Sequence, residues 1–349
     1  MNADQAAGST GSSGSGGAGG SRDLHVIIGA GAIGSAIARL LAAEDRHVRI
    51  VTRSGSGPDG IQAERVAADA SDREAIAQLA EDAVAIYNCA NPPYHRWPEL
   101  WPPIAAALLG AAERSGAVLV TVANLYGYGP ASQSQGTTGY DAAHPMTEDT
   151  PLAATGRKGS VRAQMWRDAL AAHQAGRVRA AEVRASDYVG PGAESVLGAR
   201  VIPNVLRGKA VSVLGRTDRL HTWTFTEDVA RLAVVASGDS RAWGHVWHTP
   251  SGPARTQHDA IADMARVAGV GPVQVRALPG AVLRAAGLFS PLLRELQETK
   301  YQFTEDFVMD SSAAQRAFGL APTPWDSVLE AALRGYGWRG TQDHLIGSQ

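Results

Sequence analysis

Three glycines constrain this chain more than any other feature. Gly29-Ala30-Gly31-Ala32-Ile33-Gly34 follows the apolar run Leu24-His25-Val26-Ile27-Ile28 and leads into a helical stretch, Ser35–Ala43. A second strand, His47–Thr52, begins 13 residues after Gly34. A lone Gly-x-Gly-x-x-Gly is a weak pattern; between a strand and a helix of one βαβ unit it is the signature of a dinucleotide turn. Gly29 permits the tight turn, Gly31 lets the backbone approach a pyrophosphate, and Gly34 lets the helix pack close to the strand. The free N–H groups at the helix start, around Ala32 and Ile33, complete the expected phosphate cradle.

The rest of the chain fits one architecture. After the second strand come a short strand at 62–67, a helix from Asp72 to Leu79, an apolar strand at Val84–Cys89, a helix at Ile104–Ser115 and a strand at Ala117–Val122. Strands alternating with helices predict a parallel, doubly wound α/β sheet. Gly127–His144 reads as a long polar loop, followed by a helix at Ser160–Gln174 and a strand at Val178–Arg184. Residues 1–22, with seven Gly and five Ser, are expected to form a disordered tail. Residues 23–185 are expected to be the Rossmann domain and 186–340 a smaller α/β substrate lobe, with 341–349 as a tail. Segments near Trp223–Asp228 and His245–His248 are expected to return to the sheet.

Composition narrows the partners. There are 32 Lys+Arg against 34 Asp+Glu, a formal charge of −2, so no basic excess points to nucleic acid. No apolar run reaches the ~18 residues of a membrane span. One cysteine, Cys89, excludes an intrachain disulfide, and no His pair has metal-ligand spacing backed by a third ligand, so no metal is expected. The N-terminus carries no secretory pattern, and a cytoplasmic location is expected. The expected partner is a small-molecule substrate; a homodimer is allowed for.

The end of the second strand addresses the choice of cofactor. An NAD site usually carries an acid there to bind the ribose 2′-hydroxyl. This chain reads Thr52-Arg53-Ser54, and Arg53 with Ser54 suits a 2′-phosphate. NADP is therefore expected over NAD, which stays open. Asp69, past the third strand, could receive the adenine amino group or could cap the next helix.

These features, taken with later ones, resemble the extended short-chain dehydrogenase/reductase superfamily, in its NAD-dependent epimerase/dehydratase branch. The later ones are Asn88-Cys89-Ala90 after the fourth strand, Leu125-Tyr126-Gly127 after the fifth, Arg184–Gly192 after the sixth, Thr224–Ala230, and Pro322-Thr323-Pro324. The resemblance covers about residues 23–340 and implies a cofactor contact at Ala90. It also implies a Tyr-x-x-x-Lys pair at the start of the helix after the long loop, with Ser or Thr after the fifth strand. This chain departs there. Lys158 takes the tyrosine place, Arg162 the lysine place, and Val122 the serine place.

Lys158 and Arg162 lie one helical turn apart. In one reading Arg162 bonds the ribose, and Lys158, with its charge repelled by Arg162 and an oxidised nicotinamide, acts as acid/base. In a second, the two only bind an anion or the cofactor; in a third, they are solvated surface charges. Tyr126, beside the expected nicotinamide site, is a further catalytic candidate. Asn124, Asp187 and His95 are candidates for touching the substrate. Two functions follow. One is an NAD(P)-dependent oxidoreductase or epimerase/dehydratase-like enzyme acting on a small polar, sugar-like or carbonyl substrate with non-standard catalytic residues. The other is a catalytically inactive NADP(H)-binding sensor.

Overall fold

The computed structural model describes residues 23–278 and 298–340. The two expected tails lie outside the described residues, as does part of the expected lobe, 279–297.

The first half folds as alternating strands and helices: β1 (Leu24–Ile28), α1 (Ala32–Ala43), β2 (His47–Thr52), β3 (Glu64–Ala67), α2 (Arg73–Leu79), β4 (Ala83–Asn88), α3 (Trp97–Ser115) and β5 (Val118–Asn124). A short α4 (Ala131–Ser134) precedes α5 (Arg157–Gln174), β6 (Arg179–Ala185) and β7 (Asp187–Val189). Then follow α6 (Ile202–Val205), β8 (Val211–Val213), β9 (Leu220–His221), β10 (Trp223–Phe225), α7 (Thr226–Gly238) and β11 (Val246–His248). The lobe continues with β12 (Arg255–Thr256), α8 (Gln257–Ala268) and β13 (Val275–Ala277), and ends in helices Ser312–Phe318 and Trp325–Arg334.

Seven strands form one parallel sheet in the order β11-β6-β5-β4-β1-β2-β3. The order reverses direction beside β1, and the crevice at such a point is where open α/β sheets bind ligands. The apolar character of β1, β4 and β5 follows from burial on both faces. One face packs against α1 and α7 through Ile37, Leu41, Val229 and Leu232. The other packs against α2, α3 and α5 through Ile76, Trp101, Leu108 and Met165. A separate core of Val205, Ile261, Met264 and Leu329 holds the lobe together.

The structure differs from expectation in four places, each with a physical cause. Trp223–Phe225 does not join the large sheet; it pairs in parallel with Asp187–Val189 as a separate two-stranded sheet. Val246–His248 is the segment that extends the large sheet, beside β6. Helix α3 begins at Trp97 and runs through Pro102 and Pro103. Prolines usually end a helix, but Trp97 and Trp101 are buried beneath this turn and tie it down. Helix α5 begins at Arg157, one residue ahead of Lys158, because a distant carboxylate caps it. The polar loop at 127–144 is pinned as well: Tyr128, Tyr140 and Met146 pack with Phe307 and Met309, and the Tyr140 N–H donates to the Asp306 carbonyl at 2.7 Å.

Candidate functional site

The carboxyl ends of β1, β2, β4, β5 and β6 share one edge of the sheet, and the candidate residues gather there. At β1 the three glycines are required for different reasons. Gly29 has φ of +101° and its missing Cβ would lie 2.5 Å from the Cys89 carbonyl oxygen. A Cβ on Gly34 would run into the Gly29 carbonyl. Both are packing glycines. Gly31 differs: nothing lies within 4 Å of where its Cβ would stand. Its bare backbone faces open space. It is also the N-cap of α1, with no side-chain cap and no acid in the first turn. The first N–H groups of α1, around Ala32 and Ile33, are left for an outside acceptor. This is a fit to a pyrophosphate that rests on this chain's own residues.

Beyond β2, Arg53 and Ser54 are exposed, and the Ser54 hydroxyl donates to Ser56 Oγ at 2.9 Å. Asp69 is exposed opposite them and accepts from the Ser71 N–H at 2.9 Å and Oγ at 2.7 Å. These bonds hold its carboxyl below the usual carboxylate range, and Arg53 adds to the effect. The helix cap is a different residue: Asp72 accepts from the Glu74 and Ala75 N–H groups. Ala90 is half-buried, its N–H 3.4 Å from the Asn88 side-chain oxygen.

Helix α5 carries Lys158 and Arg162 inward. Gly159 lets the helix press against the Tyr126 carbonyl, and the lysine follows it into the interior, 1 % exposed. Its ammonium lies 3.2 Å from Glu298 Oε2 and 4.8 Å from the centre of the Tyr94 ring. The other Glu298 oxygen accepts from the Lys158 backbone N–H at 2.8 Å. Glu298 thus caps the helix that Gly156 cannot cap. The solvated-surface reading of Lys158 and Arg162 is excluded by their burial.

Arg162 is sandwiched. Its guanidinium carbon stands 4.1 Å from the centre of the Trp101 ring and 4.7 Å from that of Trp97. Burial pulls it below the usual arginine range, while Glu182 opposes this. Its Nε and Nη1 have no hydrogen-bond partner. A buried charged donor left unmade costs more than the ~1–3 kcal/mol of a neutral one.

Tyr126 lies beside this pair. Burial pushes its phenol well above the usual range, the nearby Tyr94 phenol adds to this, and the two rings meet edge to face at 6.3 Å. Tyr94 also meets the Thr299 hydroxyl at 3.2 Å. The turn that was expected to offer His95 therefore turns Tyr94 inward and leaves His95 exposed. Asn124, at the end of β5, accepts from the Tyr126 N–H at 3.2 Å and holds that turn. Asp187 starts β7, and its Oδ2 lies 2.9 Å from His221 Nε2. The contacts made by Glu298, Tyr94 and His221 were not foreseen. These residues lie 140, 32 and 34 residues away from the side chains they meet, and no local spacing signals such contacts. Among the described residues no group of three or more His, Cys, Asp or Glu is arranged to hold a metal ion. No described helix is long and apolar enough to cross a membrane.

Known proteins share this fold. The sequence model of the NAD dependent epimerase/dehydratase family matches residues 25–246, more than half of the chain. A dTDP-glucose 4,6-dehydratase from Bacillus anthracis, solved with NAD, superposes with a TM-score of 0.71 at 17% identity, over 90% of this chain and 96% of that one. The dTDP-glucose 4,6-dehydratase DesIV from Streptomyces venezuelae, with NAD and TYD bound, gives 0.69 at 19% over 90% and 96%. MoeE5 with UDP-glucose and NAD gives 0.70 at 19% over 93% and 99%. No curated protein matches the sequence. With the glycine cradle, the strand order and the family match in agreement, the chain belongs to the NAD dependent epimerase/dehydratase family.

Proposed function

We propose that this protein is an NAD(P)-dependent oxidoreductase of the epimerase/dehydratase kind, acting on a small polar, sugar-like substrate through non-standard residues. The observation that carries the reading is Arg162. A buried guanidinium with Nε and Nη1 unpartnered is costly, and it stands in the place where the family keeps the lysine that holds the nicotinamide ribose. Ribose hydroxyls would supply the missing acceptors.

The dinucleotide, when bound, supplies a nicotinamide ring able to take up or give back a hydride. Gly31 and the start of α1 hold its pyrophosphate. Arg53 and Ser54 recognise a 2′-phosphate, so NADP(H) is preferred over NAD(H), with Asp69 beside them toward the adenine. Ala90 borders the cofactor. Lys158 occupies the tyrosine's place. Ion-paired with Glu298, its ammonium serves as a fixed positive charge that stabilises negative charge on a substrate oxygen. Tyr126, Asn124, Asp187 and His95 border the substrate. Nucleotide sugars are the first candidates, because MoeE5 was solved with UDP-glucose and with UDP-glucuronic acid.

One observation favours the second reading, a dinucleotide-binding regulator without turnover: Lys158 is buried against Glu298 rather than exposed to a cleft. The experiment is a titration with NADPH and NADH, followed by nicotinamide absorbance with UDP- and dTDP-sugars. Turnover that Lys158→Ala abolishes while sparing cofactor affinity supports the enzyme. Tight NADPH binding with no turnover on any sugar supports the regulator.

A further inference from the structure

The oxidoreductase reading leaves one step without a residue: with Lys158 held as an ammonium, nothing yet exchanges a proton with the substrate. Hydrogen-bond accounting at His221 identifies a candidate. His221 Nδ1 lies 3.0 Å from the Gln302 carbonyl oxygen. A carbonyl only accepts, so Nδ1 carries a hydrogen. His221 Nε2 lies 2.9 Å from Asp187 Oδ2. An ionised carboxylate also only accepts, so a second hydrogen lies between these two atoms. The Ser186 hydroxyl, 3.4 Å from Nε2, is at the outer limit of hydrogen bonding and does not change the count. The pair therefore holds one proton more than a neutral imidazole beside a carboxylate.

The surroundings suit such a store. The ring stacks on Phe303 at 5.1 Å and on Phe307 at 5.3 Å, and Trp223 tilts over it at 4.5 Å. Aromatic faces attract a cationic ring and fix its orientation. The His221 side chain is 2% exposed and that of Asp187 is 20%, so the pair opens outward only through the carboxyl. Asp187 lies two residues past β6, at the carboxyl edge where this fold binds ligands, and its charge helps to raise the phenols of Tyr126 and Tyr188.

We propose that Asp187, backed by His221, is the acid/base of the reaction. In carbonyl reduction the substrate carbon gains a hydride from the reduced dinucleotide, and the C=O π pair moves to oxygen. That oxygen takes the shared proton from the Asp187 carboxyl, leaving a neutral imidazole and a carboxylate. In alcohol oxidation the hydroxyl returns its proton to Asp187 as the hydride leaves for the oxidised dinucleotide.

This inference rests on the oxidoreductase reading, and the experiment separates the two. Long-range 1H–15N correlation of the full chain at pH 7, with His221→Gln to assign the signal, reads the ring directly. Both His221 nitrogens are expected to be protonated, and only one in Asp187→Asn. A singly protonated ring in the unaltered protein overturns the proposal even if nucleotide sugars turn over. With UDP-glucose and dTDP-glucose as probes and NAD+ or NADP+ as oxidant, Asp187→Asn should lower kcat by about 10²–10⁴-fold with KM nearly unchanged. Full turnover in that variant, with its melting temperature unchanged, also overturns it. A doubly protonated ring with no turnover of any sugar by the unaltered protein removes the functional reading and the acid/base role with it.

Discussion

The Lys158 ammonium lies 3.2 Å from the carboxylate of Glu298, 140 residues further along the chain, and the lysine side chain is 1 % exposed. Removing one partner of a buried ion pair is destabilising, by up to about 3–5 kcal/mol; Glu298 is 23% exposed, which places the expected loss toward the lower end. Glu298→Ala should therefore lower stability by about 3 kcal/mol in urea unfolding, with part of the loss from the cap on α5. Lys158→Met should cost much less, because it removes the buried charge. Equal losses in the two variants would show that the ion pair is not the source.

Arg162 is expected to set stability against binding. Replacing a buried, poorly satisfied charge with a well-packed apolar side chain is often neutral or stabilising. Arg162→Met should leave the melting temperature of the unliganded protein unchanged or higher, and should weaken dinucleotide binding at least tenfold. A destabilised variant with normal affinity would make Arg162 a packing residue.

The glycine cradle separates in the same way. Gly31→Ala meets open space, so it should fold normally and bind dinucleotide more weakly. Gly34→Ala meets the Gly29 carbonyl and should reduce stability by several kcal/mol, in the range of severe core defects. Thermal melts and a cofactor titration of both variants check the contrast.

Arg53→Ala should weaken NADPH by about 1.5–3 kcal/mol, the usual worth of a hydrogen bond to a charged group, and leave NADH nearly unchanged. Equal losses for both would remove Arg53 as reader of the 2′-phosphate.

Acid should weaken the fold through His25. Burial holds this ring down at about 4, below its ordinary 6.5. Its Nδ1 meets the Tyr87 hydroxyl at 3.1 Å, and Tyr87 donates onward to Ser237. Nε2 has no partner, so a proton there would find no acceptor. The unfolded chain binds that proton first. Stability is therefore full above about pH 6.5, falls as pH drops toward 4, and levels off below. The difference amounts to ~3 kcal/mol at most. Urea unfolding at pH 7, 5.5 and 4.5 measures the slope, and His25→Gln should flatten it.

What the sequence determined by itself is what local spacing determines. The Gly29–Gly34 turn, the alternation of apolar strands with helices and the missing acid at Arg53 are each set within about thirty residues, and the doubly wound sheet follows from repeating that unit. The absence of any Tyr-x-x-x-Lys, and the presence of Lys158 and Arg162 at the start of the helix after the long loop, were equally legible, because they are matters of residue identity. Their surroundings were not. Whether Lys158 was a free base, an anion clamp or a surface charge depended on Glu298, which reaches it only through packing of the C-terminal segment. The contact between Asp187 and His221, and the setting of that ring among the Gln302 carbonyl and the rings of Trp223, Phe303 and Phe307, were equally hidden. The two-tryptophan sandwich around Arg162 required α3 to run through Pro102 and Pro103, against the local preference of proline. Periodicity fixes which face of an element is buried; only the folded chain decides which charges and ring nitrogens then meet, because those contacts are made between segments whose separation carries no pattern.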